Sequence, residues 1–101
     1  MFTLTCRTGR VVSVYMDVFK LPEGSSDGFP DGYRFSWIAC DSENDSARIL
    51  FDCHPPKGPH IHVDGDPDGE PFIWESLEVS YELFFERVRS RFGEFEIAEV
   101  K

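Results

Sequence analysis

The chain has 101 residues and a formal net charge of −9, because nineteen acidic residues face ten basic ones. This length fits one domain, residues 1–101, that can bury a core without disulfides or a structural metal. The acidic balance excludes general nucleic-acid binding except where basic groups gather locally. Three cysteines (Cys6, Cys40 and Cys53) are an odd number at unrelated spacings. That pattern predicts reduced thiols in a cytoplasmic protein.

The sequence also lacks the marks of a membrane or exported protein. No run of about 18 apolar residues occurs, so we expect no membrane-spanning helix and no membrane partner. The opening residues MFTLTCRTGR have neither the apolar segment nor the cleavage site of a signal peptide. Export is therefore not expected.

The first half of the chain shows the short-period patterns of β-strands. Residues 10–19 (RVVSVYMDVF) are rich in Val and aromatic residues and predict a strand, followed by a long Gly-, Pro- and Ser-rich loop over 21–32. Residues 33–40 (YRFSWIAC) alternate aromatic and other side chains, and residues 47–53 (ARILFDC) follow a polar turn. These last two strands should pair as a hairpin.

The second half combines a small hairpin with a helix. After a proline-rich break, short strands are expected around Ile61 and over 72–74, on either side of the turn DGDPDG. Ser76 can cap a helix that runs to about Phe92, and Gly93 is a suitable stop. One face of that helix carries an apolar stripe of Leu77, Tyr81, Phe84, Val88 and Phe92. The order of elements predicts an α+β fold, an antiparallel β-sheet of about four to five strands packed against one C-terminal α-helix.

All three histidines fall between residues 52 and 75. His60 and His62 are two residues apart, which places both imidazoles on one face of a strand, and Asp64 should continue that face. His54 can fold back across the prolines towards them. Two histidines and a carboxylate suit Zn or Fe(II), and the alternative is a set of hydrogen-bonded histidines without metal. Because no CxxC pair accompanies them, we assign neither a metal nor a cofactor here.

The segment 64–69 (DGDPDG), with Glu75 further on, matches the pattern of a calcium-binding loop. Three carboxylates and a turn-forming glycine can wrap Ca²⁺. The preceding residues PKGPHIHV cannot form the incoming helix, however, and Pro71 has no N–H for pairing with a second loop. The alternative, an acidic hairpin turn, is the one we favour.

A third hypothesis is metal-free catalysis by Asp52, His54, Lys57, His60 and His62. Imidazoles exchange protons near neutral pH, and a lysine can stabilise the charge that develops on a phosphoryl group. The candidate reaction is cleavage of a phosphodiester. The alternative is an interaction surface that does no chemistry. Cys53 is a poor nucleophile candidate, because neighbours on a strand face opposite sides.

These motifs together resemble the TumE-type toxins of toxin–antitoxin modules. The family pattern has an aromatic-rich strand (here YRFSW), an Asp-x-His at a strand end (Asp52 and His54), and a Lys-Gly-x-His-x-His block (residues 57–62). An acidic-aromatic segment (Glu70, Pro71, Phe72) and an amphipathic helix follow. The resemblance covers roughly residues 32–92. The family often has Asn where this chain has Cys53.

The resemblance implies a cytoplasmic, growth-inhibiting protein whose partner is an antitoxin with a nucleotidyltransferase fold. The site would then act on RNA or a nucleotide, and a homodimer is left open. Two alternatives from other classes remain at this point. One is a non-catalytic binding or regulatory domain whose acidic face docks a partner, and the other is a metal-binding protein.

Overall fold

A computed structural model describes residues 1–24, 28–55 and 57–97, without the side chain of residue 97. Residues 25–27 of the predicted loop and residue 56 of the proline-rich break lie outside the described residues. The strands are β1 (Phe2–Cys6), β2 (Val11–Lys20), β3 (Tyr33–Asp41), β4 (Arg48–His54), β5 (Gly58–Val63), β6 (Glu70–Pro71) and β7 (Phe95–Ile97). A single turn of 3-10 helix (Pro30–Gly32) precedes β3, and the α-helix α1 spans Leu77–Phe92.

The strands form one antiparallel sheet in the order β6-β5-β4-β3-β2-β1-β7. The predicted α+β architecture with one helix and the predicted β3–β4 hairpin are confirmed. The expected four to five strands were too few, since the described residues contain seven. The strand expected over 72–74 was wrong, because the pairing with β5 ends at Pro71. We did not predict β1 or β7, which pair with each other.

Ser76 and Gly93 cap the two ends of the helix. The Ser76 side chain accepts a hydrogen bond from the backbone N–H of Val79 at 3.1 Å. At the other end Gly93 adopts a φ of 95°, which favours glycine, and its N–H bonds the carbonyl of Arg89. No helix in the described parts of the chain is long and apolar enough to cross a membrane.

The core is an aromatic layer between the helix and one face of the sheet. Trp37, fully buried at the centre of β3, lies with its ring centroid 4.5 Å from Tyr81 and 4.8 Å from Phe35. Phe84 meets Phe51 of β4 edge-to-face at 5.1 Å. Such aromatic pairs add about 0.5–1.5 kcal/mol each beyond the area they bury. The helix therefore covers this face.

The opposite face of the sheet is uncovered by the helix, and we call it the open face. Strand alternation sends every second side chain to it, between the buried ones. Tyr15 and Phe19 of β2 are 46% and 60% exposed there. The open face of β2 to β5 carries Tyr15, Asp17, Phe19, Arg34, Ser36, Ile38, Leu50, Asp52, His54, His60 and His62. All three histidines thus lie on the side of the sheet away from the core.

Candidate functional site

Strand register brings the histidines and Asp52 together. Asp52 of β4 pairs with His60 of β5, and the next open-face pair along the strands is Leu50 with His62. His54 lies two residues after Asp52 on the same strand and the same face. Opposite side chains on neighbouring antiparallel strands have Cβ atoms about 4.5–5.5 Å apart. Two adjacent strands therefore supply all four groups.

Asp52 bridges two of the histidines. Its Oδ1 lies 3.3 Å from Nε2 of His62, and its Oδ2 lies 3.2 Å from Nε2 of His54. The Asp52 side chain is only 16% exposed, whereas that of His54 is 75% exposed. A carboxylate held away from water in this way attracts both imidazoles at Nε2 and so positions them.

His62 is held at both ring nitrogens. Its Nδ1 lies 2.7 Å from the carbonyl oxygen of Asp66, while Nε2 faces Asp52. The hydrogen bond at Nδ1 and the contact at Nε2 together fix the position of the imidazole.

His60, which also lines the cleft described below, is held at one ring nitrogen only in the contacts of the described residues. Its Nδ1 lies 2.9 Å from the carbonyl oxygen of Gly58. Since a carbonyl only accepts, Nδ1 carries the hydrogen in this contact. The His60 and His62 rings lie with centroids 6.3 Å apart. The backbone contact at Nδ1 thus holds the His60 ring in place and leaves any acid–base chemistry to Nε2.

A cleft of about 340 Å³, the histidine cleft, collects these groups. Its volume lies at the lower end of the range for small-molecule sites. All five residues singled out from the sequence line it together: Asp52, His54, Lys57, His60 and His62. Pro67 and Asp68 of the acidic turn close one side. The expectation that His60 and His62 share a side and lie near His54 or Lys57 is confirmed, and their chemical roles stay proposals.

A glycine that sequence reasoning missed gives His62 its room. A Cβ on Gly69 would lie 2.6 Å and 2.7 Å from two ring atoms of His62 and 3.0 Å from the carbonyl oxygen of Ile61. Gly69 also has a φ of 68°. Close approach and backbone conformation both require glycine there. The only sequence signal was its place at the end of the turn, which did not indicate a contact with the site.

Asp64 does not join the histidines, contrary to our expectation. It has left the strand, and its Oδ1 accepts hydrogen bonds from the backbone N–H of Arg48 at 3.0 Å and from Nε of Arg91 at 3.1 Å. The hydrogen bond from Arg91, aided by the one from Arg48 and by the guanidinium charge, lowers the pKa of the Asp64 carboxyl despite partial desolvation. This carboxylate ties the turn to the helix. It is committed to that contact, which agrees with the acidic-turn interpretation of 64–69.

Cys53 lies on the other side of β4 from its two neighbours. Its side chain is buried in the core. Burial, with the adjacent Asp52 charge, raises the pKa of the Cys53 thiol. Since the thiolate is the nucleophilic form, this cysteine is unsuited to attack at neutral pH.

Within the described ranges, no group of three or more His, Cys, Asp or Glu side chains is placed to hold a metal ion. The ring nitrogens nearest Asp52 are instead engaged with its two oxygens. Comparisons of the chain with models of protein families, with curated proteins and with solved structures give no match in any of the three.

Proposed function

We propose that the histidine cleft cleaves a phosphodiester bond of RNA without a metal. The observation that carries this proposal is the convergence of His54, His60 and Lys57 in one cleft around the carboxylate of Asp52. General acid–base chemistry needs a proton acceptor and a proton donor on either side of the scissile bond. Two imidazoles with different hydrogen-bond partners meet that need.

In the proposed reaction His60 is the general base. Its Nε2 takes the proton of a ribose 2′-hydroxyl, and the 2′-oxygen attacks the adjacent phosphorus. The bond from phosphorus to the 5′-oxygen of the next nucleotide breaks. His54, in its protonated form, gives the proton of Nδ1 to that 5′-oxygen; its side chain is 75% exposed. The products are a 2′,3′-cyclic phosphate and a free 5′-hydroxyl, with no other reactant consumed.

The other three residues act on charge and position. Lys57 lines the cleft, and its ammonium would stabilise the added negative charge on the phosphoryl oxygens. Asp52 positions His54, and His62 anchors Asp52 from the other side. The net charge of the chain is strongly negative. Affinity for a polyanion must therefore come from this local group of cations.

The direct test is incubation of the purified protein with single-stranded RNA in excess EDTA. We expect cleavage products ending in 2′,3′-cyclic phosphate. Replacing His60→Gln should lower the rate by about a hundred- to ten-thousandfold, the usual contribution of a general base. Glu86→Gln, an exposed change on the helix, is the matched control and should leave the rate unchanged. No cleavage by the unchanged protein at any RNA sequence would overturn the proposal.

We further propose, from the resemblance to TumE-type proteins, that this activity inhibits growth and that an antitoxin of nucleotidyltransferase fold neutralises it. Induced expression should arrest growth, and co-expression of a nucleotidyltransferase-fold protein encoded beside this chain should relieve the arrest. The double variant His60→Ala, His62→Ala should remain folded and not arrest growth. A folded double variant that still arrests growth would separate toxicity from the histidine cleft.

A further inference from the structure

Beside the histidine cleft lies a second cleft on the open face, which we call the Phe19 cleft. Its volume is about 370 Å³, and its lining includes Asp17, Phe19, Arg34, Ser36, Asp52 and His54. It shares Asp52 and His54 with the histidine cleft. The two clefts therefore meet at His54, the proposed general acid, and at Asp52, which positions it.

The register of the sheet places Phe19, Arg34 and His54 in line with one another. Phe19 of β2 pairs with Arg34 of β3. Ser36 pairs with Asp52, so the same register continued by one step places Arg34 beside His54 of β4. Phe19, Arg34 and His54 thus form one row across three strands, with Phe19 about 10 Å from the His54 strand.

Phe19 is not part of the described hydrophobic core. It is 60% exposed on the face away from the core, while its neighbour Val18 packs against the core. An exposed ring on a flat sheet is a platform on which a nucleobase can stack. Arg34, also exposed, stands between that ring and the site and can bind a phosphate. Asp17 also lines the cleft, and its carboxylate can accept a hydrogen bond from the amino group of a base.

We propose that the Phe19 cleft is a subsite for the nucleotide that follows the scissile phosphate in single-stranded RNA, with its base on Phe19 and its 3′-phosphate on Arg34. This proposal rests on the proposed function, since it takes the scissile phosphate to lie in the histidine cleft. The leaving 5′-oxygen then lies at the junction of the two clefts, beside His54. The substrate class follows: a single strand of at least two nucleotides, because a base within a duplex is not free to stack on Phe19.

The test measures cleavage and equilibrium binding of penta-adenylate. Phe19→Ala should raise KM and the dissociation constant by about five- to a hundredfold, the range for loss of one stacked base, with kcat nearly unchanged. Phe19→Trp keeps an aromatic ring for stacking and should leave KM and the dissociation constant close to those of the unchanged protein. Tyr15→Ala is the matched control, because Tyr15 is an exposed aromatic on the same strand and face outside both clefts. It should change neither constant more than twofold.

Other outcomes discriminate between the proposals. Cleavage by the unchanged protein with equal KM for the Phe19→Ala variant would overturn the subsite and leave the proposed function standing. Binding without cleavage, weakened by Phe19→Ala, would support stacking of a base on Phe19 but would overturn the catalytic proposal and, with it, the placement of that base after a scissile phosphate. Neither binding nor cleavage would overturn both. A fall in solution mass on Phe19→Ala, measured by light scattering, would show that a second copy of the chain occupies this face and would also overturn the subsite.

Discussion

Asp52 on β4 and His62 on β5 meet across the sheet, with Oδ1 of the carboxylate 3.3 Å from Nε2 of the imidazole. The contact joins the two strands that carry the site and leaves the other carboxylate oxygen for His54. A single carboxylate therefore orders one exposed and one half-buried imidazole. The position of His62 itself depends on the acidic turn that follows it.

Gly69→Ala should reduce activity through His62. An added Cβ overlaps the imidazole and displaces it from Asp52. Gly65→Ala is the matched control, since Gly65 has a similar φ of 82° in the same turn but its added Cβ would meet only the far end of Arg48 at 3.4 Å. Both variants should lose about 1–2 kcal/mol of stability from the left-handed conformation. Cleavage rates compared at equal folded fraction should fall only for Gly69→Ala, and equal rates would show that the room around His62 is irrelevant to catalysis.

Phe84→Ala should destabilise the fold without a specific effect on catalysis. Phe84 is fully buried against Phe51 and Trp37, and such a truncation costs about 3–5 kcal/mol. That loss is a large share of the stability of a small domain. Val79→Ala, on an exposed position of the same helix, should change stability by about 0.5 kcal/mol or less. Urea unfolding followed by circular dichroism measures both, and a Phe84→Ala midpoint equal to that of Val79→Ala would refute the core assignment.

The bond between Asp64 and Arg91 should contribute stability that depends on pH. Because the pKa of Asp64 is lowered in the folded state, its contribution is fully present above the ordinary carboxyl pKa of about 3.9 and is lost as the pH falls through the lower folded value. The pair is partly exposed, so its contribution should be at most about 1 kcal/mol. Thermal unfolding of the unchanged protein and of Arg91→Gln should differ at pH 7 and converge in strong acid. A difference that grows below pH 4 would contradict this account.

The turn 64–69 should not be a tight calcium site. The Asp64 carboxylate already accepts hydrogen bonds from Arg48 and Arg91. The Oδ1 of Asp66 accepts one from the backbone N–H of Asp68 at 3.1 Å. Isothermal titration with Ca²⁺ should give no stoichiometric binding in the micromolar range, and EDTA should leave the unfolding temperature unchanged. A rise of that temperature on addition of micromolar Ca²⁺ would show a site that these contacts do not suggest.

The parts of the fold that sequence predicts well are those whose pattern is local. Alternation in residues 33–40 and the four-three spacing from Leu77 to Phe92 each reflect one element and its single buried face. By contrast, β7 is three residues long and depends on pairing with β1, which lies at the other end of the chain. No local pattern of three residues specifies such a partner.

Within the site, too, the features set by a local pattern were predictable and those set by distant contacts were not. The spacing of His60 and His62 predicts their shared face, because strand periodicity alone decides it. The fixing of His62 by the Asp66 carbonyl depends on the path of the turn, where Asp64 adopts a φ of 53°. That path also turns Asp64 towards the helix, which the alternation of a continued strand predicts wrongly. Turn geometry of this kind is set by tertiary contacts such as that of Asp64 with Arg91.

Metal-free attack by a ribose 2′-hydroxyl in the histidine cleft can be measured with an oligodeoxynucleotide that contains one ribonucleotide. With EDTA present, we expect cleavage only on the 3′ side of that ribose, yielding a 2′,3′-cyclic phosphate, and about a hundredfold or greater loss of rate with His60→Gln. The all-deoxy strand should remain intact. Cleavage of the all-deoxy strand, or full activity of a folded His60→Gln variant, would contradict the account.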